Sequence, residues 1–246
     1  MNKRWRGRFV KAGVVVILAL ILAAVSFFAA PPKTSVALPA KPVVELSRSV
    51  ALPPGTETVD MFAAVDRGDL AVRLMPEKDQ QARLEVENRT DRPLTVAVPA
   101  TIGGRFILAG MGAGAAGPGR PQAICAAVPS GGGLFGIPPE KVGFLRTKTA
   151  CLDESKPEPH PGMIYEVCRI EELTEQSAVQ KLCVILGARQ TDPQAVQAAV
   201  WHLNCDLSWR RLAARLRTLG GPHGTQRFFT PGQIEEGKHL AEVAMR

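Results

Sequence analysis

Residues 82–99, ARLEVENRTDRPLTVAVP, alternate apolar and polar side chains with a period of two. Ala82, Leu84 and Val86 fall on one side of an extended chain and Arg83, Glu85 and Glu87 on the other. The alternation resumes at Leu94, Val96 and Val98 after a turn-prone stretch. Side chains alternate across a strand, so the pattern predicts two half-buried strands joined by a tight loop, at the edge of a β-sandwich. Leu70, Val72 and Leu74 predict a strand before them that Pro76 ends. Thr58 to Arg67 reads as a short helix with Val59, Phe62 and Val65 as its stripe. Lys141–Leu152 and Ile164–Ile170 read as a fourth and a fifth strand. Between the third and fourth strands, residues 101–139 are dominated by Gly and Pro and read as a flexible loop.

Beyond residue 172 the period changes to about 3.6. Val179, Leu182, Cys183 and Leu186 share one helix face, and Val196, Ala199, Val200 and Leu203 share another behind the Asp192-Pro193 start signal. Ser208 opens a helix expected to run to Leu219. Thr230 and Gln233 form a capping box, with Pro231 at the first helical position. The expected fold class is α+β: an antiparallel β-sandwich over 56–170, followed by a small helical bundle over 171–246.

The N-terminus differs in kind. Lys3, Arg4, Arg6, Arg8 and Lys11 precede an uncharged run from Ala12 to Ala30, AGVVVILALILAAVSFFAA. A cleavable signal carries an apolar region of about 7–15 residues and a spanning helix about 20. The run has 19, so residues 1–30 read as a signal-anchor that crosses a bacterial inner membrane through residues 12–30. The body is then held outside the cytoplasm. The alternative is a cleaved signal and a periplasmic or secreted protein. Residues 31–55, rich in Pro and Ala, read as a spacer.

This leader also explains the charge. The chain of 246 residues carries 30 basic and 23 acidic side chains. Six of the basic residues stand in 1–33, which holds no acid, leaving 24 basic against 23 acidic in the rest. A near-neutral body has no field to attract phosphate, so nucleic acid is not an expected partner.

Chemical motifs are sparse. Residues 112–117 match GxGxxG, but Pro118-Gly119-Arg120-Pro121 cannot open the helix that would hold a pyrophosphate, so no cofactor is assigned. Asn88-Arg89-Thr90 matches a glycosylation acceptor and reads as turn chemistry. The four histidines stand apart; His160, near Asp153, Glu154 and Glu158, is a loop cluster rather than a metal motif, and no metal ligand is assigned. No catalytic residue is assigned either. Cys125, Cys151, Cys168, Cys183 and Cys205 show no CxxC spacing. In an oxidising compartment four of the five could pair, in any of 15 arrangements; the pairing read here is Cys151–Cys183 and Cys168–Cys205, with Cys125 left over, and the alternative is five reduced, buried thiols.

The segments ENRTDRPLTVAVP (87–99), KVGFLRTKTACLDESKPEPHPGMIYEV (141–167) and DPQAVQAAVWHLNCDLSW (192–209) resemble an uncharacterised group of exported bacterial proteins. That resemblance implies export and a sandwich-plus-helices layout, with no activity attached. Ala150-Cys151-Leu152 and Val196-Gln197-Ala198-Ala199-Val200-Trp201 also resemble the thioester domains of bacterial surface adhesins. There a Cys after a strand and a Gln in an apolar helix segment condense into an internal thioester. The residue before Cys151 is Ala, where that family carries an aromatic or large apolar one. The resemblance implies a Cys151–Gln197 thioester awaiting an amine. The functional expectation is a membrane-tethered interaction or structural protein of the cell envelope, with an unnamed protein or envelope partner and no catalysis. A covalent adhesin using Cys151 and Gln197, or an enzyme whose site is assembled in space, is the alternative.

Overall fold

The computed structural model describes residues 43–46, 55–107, 121–188, 190–218 and 224–246. Strands β1 (Val43–Glu45) and β2 (Glu57–Asp60) lead to helix α1 (Met61–Asp66). Then come β3 (Leu70–Pro76), β4 (Gln81–Asn88), β5 (Leu94–Val98), β6 (Thr101–Phe106) and β7 (Ile124–Ala127). They are followed by β8 (Gly133–Ile137), β9 (Val142–Cys151) and β10 (Tyr165–Cys168). Helices α2 (Ser177–Leu186), α3 (Pro193–Asn204) and α4 (Trp209–Ala214) come next. The strand pair β11 (Leu216–Thr218) and β12 (Thr225–Arg227) and helix α5 (Pro231–Met245) complete the order.

Strands β9, β4, β3, β10, β6 and β7 are neighbours in that order, all antiparallel, and β7 returns to β9. The result is a closed six-stranded barrel, which corrects the expected sandwich. Closure removes the free sheet edges that two stacked sheets would leave. The joining strands β6 and β7 lie in the stretch that reads as a Gly-rich loop, and so does β8. The glycines of β6 save space rather than confer freedom. A Cβ on Gly104 would stand 3.0 Å from Ile124 Cγ1 and 3.1 Å from Leu74 Cδ2; one on Gly103 would stand 2.7 Å from Leu173 Cδ1. A narrow barrel fits only small residues where its walls approach. The GxGxxG match at 112–117 lies outside the described residues.

The two strands of residues 82–99 belong to different sheets. β4 pairs with β3 and β9 in the barrel, whereas β5 is the centre of a three-stranded sheet between β2 and β8. Both sheets share one apolar cluster, which takes Leu74, Leu84, Val86, Ile102 and Tyr165 from the barrel. Val59, Leu94, Val96 and Ile137 come from the small sheet, and Met61 and Phe62 from α1. Helix α1 starts later than the sequence suggests: Asp60, not Thr58, caps it by accepting from the Ala63 N–H at 2.9 Å.

The helices do not form a separate bundle, a second correction. The stripes of α2, α3 and α5 close a common cluster with Cys125 and Ala127 of β7 and with Ala150 and Leu152 at the end of β9. An amphipathic helix needs an apolar partner, and here the barrel wall supplies part of it. The helix expected over 208–219 stops at Ala214, and Leu216–Thr218 pairs with Thr225–Arg227 instead. Residues 12–30 lie outside the described residues. Among the described residues no helix is long and apolar enough to cross a membrane, so nothing described supports the expected spanning helix.

Asn88 joins the two sheets. It is fully buried, and its Nδ2 donates to the carbonyls of Arg92, Ile137 and Pro138 at 2.8, 3.1 and 3.3 Å. Its Oδ1 accepts from the Thr90 N–H and hydroxyl at 2.9 and 2.7 Å. The Asn-x-Thr triplet is thus spent on an internal turn. Asn88→Ala should destabilise the fold by about 2–3 kcal/mol, because buried carbonyls lose their donor. Asn88→Asp should cost more, because it sets a carboxylate against those carbonyls. Urea unfolding of both variants checks the order; equal and negligible losses would contradict it.

Candidate functional site

The site arises from a mismatch of strand lengths. β9 pairs with β4 only as far as Lys148, opposite Gln81, while its other edge stays paired with β7 through Cys151. The turn between β3 and β4 reaches Thr149 through Gln80 and ends too early to cover Cys151. Their N–H and C=O groups face an edge with no strand, and buried backbone groups must be paired. Gln80 takes the first, its C=O accepting from the Thr149 N–H at 2.7 Å. Gln197 takes the second. Its Oε1 accepts from the Cys151 N–H and its Nε2 donates to the Cys151 C=O, both at 2.8 Å. The carboxamide stands where a neighbouring strand's peptide would, with its carbon opposite the residue that bears the thiol.

Helix α3 delivers that carboxamide. Asp192 caps it, accepting from the Gln194 N–H at 2.8 Å, and Pro193 fills the first helical position. Every residue from Ala195 to Trp201 is buried. Gln197 is the lone polar side chain in this run, 2% exposed. A buried carboxamide is tolerated only with its hydrogen bonds made. Close packing fixes the helix: Gly237 of α5 lies so near that a Cβ there would be 2.9 Å from the Ala195 carbonyl. Gln233 reaches from α5 to Asp192 at 3.0 Å.

A cavity of about 330 Å³ opens over this pair, lined by Thr149, Cys151, Gln194, Gln197, Trp201 and Phe228, with Glu158, His160 and Arg217 among its further lining residues. Trp201 is fully buried, and its indole N–H has no partner among the described residues. Gln122, also fully buried, fastens the loop that carries Glu158 and His160. Its N–H donates to the Pro157 carbonyl at 3.0 Å and its Oε1 accepts from the Asp153 N–H at 3.0 Å. Burial, and then the Glu158 carboxylate, push the Cys151 thiol well above the usual range, so it stays protonated. Burial raises Glu158 too, against the opposing pull of Arg217.

The remaining cysteines lie elsewhere, which corrects both expected disulfides: all five cysteines are free. Cys183 on α2 hydrogen-bonds with Cys125 of β7, the residue expected to be left over, and that bond and burial raise its pKa. The Cys168 thiol sits beside Gly103 and is pushed up to about 11 by burial. The Cys205 thiol donates to the Leu152 carbonyl at 3.3 Å. Cys151–Cys183 and Cys168–Cys205 fail because their members face different neighbours. The acids near His160 are dispersed as well: Asp153 pairs with Lys156 at 2.8 Å, and Glu154 pairs with Arg211 and Arg215. Among the described residues no group of three or more His, Cys, Asp or Glu is placed to hold a metal.

Of the residues singled out in the sequence, the fold brings together Cys151 with Gln197 and Cys125 with Cys183. Gln80, Gln122 and Trp201 were not foreseen as site residues. Trp201 alone left a signal, one helical turn beyond Gln197 on the same face. No protein-family model, curated protein or solved structure matches the chain. Replacing Gln197 by Leu should cost about 2–4 kcal/mol, because the Cys151 N–H and C=O are left buried without partners. Urea unfolding followed by tryptophan fluorescence measures it; a loss below about 0.5 kcal/mol, the range of an unremarkable surface change, would contradict the bonding described.

Proposed function

We propose that Cys151 and Gln197 condense into an internal thioester, and that the protein is an exported covalent binding protein that captures a primary amine on its partner. The observation that carries this reading is the double hydrogen bond between the Gln197 carboxamide and the Cys151 main chain. It holds the Gln197 carboxamide against the main chain of the residue that bears the thiol, and both residues line the cavity. The resemblance of residues 150–152 and 196–201 to adhesin thioester domains supports the same reading, and the basic-then-apolar leader supports export.

The chemistry balances without a cofactor. Cys151 Sγ adds to Gln197 Cδ, the Cδ–Nε2 bond breaks, and ammonia leaves with the thiol's proton. Glu158 lines the cavity and influences the thiol electrostatically; its raised pKa makes it the better proton acceptor for that transfer. An amine entering the cavity then forms an N–C bond to Cδ as the C–S bond breaks. The thiol is regenerated with a proton from the amine. The partner is left joined to Gln197 by an amide, and the protein does not turn over. Burial protects the thioester from water until then.

The test is incubation of the full chain with a fluorescent primary amine such as dansylcadaverine. Expected is one label per chain, on Gln197, abolished in Cys151→Ala and in Gln197→Ala. No label, or equal labelling of Cys151→Ala, overturns the proposal.

A further inference from the structure

The turn between β3 and β4 is backbone-strained at the point where it touches the site. Asp79 and Gln80 both adopt left-handed conformations, with φ of 57° and 55°. Two consecutive positive φ values are the mark of a two-residue hairpin turn, which Asn-Gly or Asp-Gly fills without strain. Asp79 suits its place. Gln80 does not: a side chain there is strained where glycine would not be. Its main-chain bond to Thr149 would be made by any residue, so the side chain is the feature to explain.

That side chain reaches the reacting group. Gln80 Nε2 lies 3.3 Å from Gln197 Oε1 and 3.4 Å from the carbonyls of Thr149 and Pro193. Gln197 Oε1 therefore faces two donors, the Cys151 N–H at 2.8 Å and the Gln80 amide at 3.3 Å. When a nucleophile adds to Cδ, the carbonyl electron pair moves onto Oε1, and donors already aimed at that oxygen stabilise the charge as it forms. Such bonds are commonly long before reaction and shorten as the charge develops.

We infer that Gln80 and the Cys151 N–H together form the oxyanion site for acyl transfer at Gln197, an assignment that rests on the thioester reading above. The same site serves both directions of the chemistry. In ring closure, Sγ attacks Cδ, the charge collects on Oε1, and its return expels Nε2 as ammonia. In capture, the amine nitrogen attacks Cδ, the charge collects on the same oxygen, and its return expels the Cys151 sulfur, which takes up the proton that the amine gives away.

The experiment compares wild type, Gln80→Gly and Gln80→Glu as full chains, reading the rate of methylamine uptake by intact mass beside the Tm. Gln80→Gly relieves the left-handed strain and removes the donor. Its Tm should hold or rise while methylamine uptake slows by about 10²-fold, in the range lost with one oxyanion donor. Gln80→Glu keeps the shape, replaces the donor with a repelling oxygen, and should slow uptake at least as much. Uptake at the wild-type rate in both variants overturns this inference while leaving the thioester in place. A rate that falls only in step with Tm overturns it too, because Gln80 is then merely structural. A wild type that takes up no methylamine overturns it together with the reading beneath it.

Discussion

Thr149 and Cys151 end a strand that outruns its neighbour, and the need to pair their main-chain groups organises the rest of the molecule. A closed barrel hides its edges only where each strand is as long as the next. β9 serves β4 with its first part and β7 with its last, so one edge opens beside Cys151. The fold fills that opening with side chains, Gln80 from the β3–β4 turn and Gln197 from α3. The helical region is thereby tied to the barrel by specific hydrogen bonds as well as by the shared apolar cluster of α2, α3, α5 and the β7–β9 wall.

This arrangement also bears on the chemistry proposed for the pair. The hydrogen bonds that satisfy Gln197 polarise its carbonyl and hold its carbon in one place, while burial keeps the Cys151 thiol neutral. A neutral thiol with a raised pKa is a poor free nucleophile and a poor metal ligand. It suits a single intramolecular step in which proximity does most of the work.

The strands at 70–76, 82–88 and 94–98 were legible because each has one buried and one wetter face. Their partners were not, because alternation specifies a face and says nothing of which edge meets which. β6 and β7 were hidden for another reason. Gly103 and Gly104 are small because the walls are close, and small residues in sequence read as loop. The stripe of α3 was readable from its period, and with it the position of Gln197; its meeting with Cys151 was implied by the resemblance to adhesin thioester domains, and its physical cause, where β4 stops, shows only in the fold. Gln80 left no trace at all, since a Gln in a polar turn reads as solvent-facing. The disulfide expectation failed on the same ground: spacing lists the cysteines, and only the packing tells which thiols meet.

The most direct measurement is the tryptic peptide map of the protein isolated under mildly acidic conditions without added amine. Cleavage after Lys148, Arg169, Arg189 and Arg210 separates Cys151 and Gln197 onto two peptides, 149–169 and 190–210. The thioester account expects these two as one cross-linked species, lighter than their sum by one ammonia and separated by methylamine. Two linear peptides, with unmodified Gln197 and a Cys151 that alkylates freely after unfolding, would contradict it and leave the pair as a hydrogen-bonded seam between strand and helix.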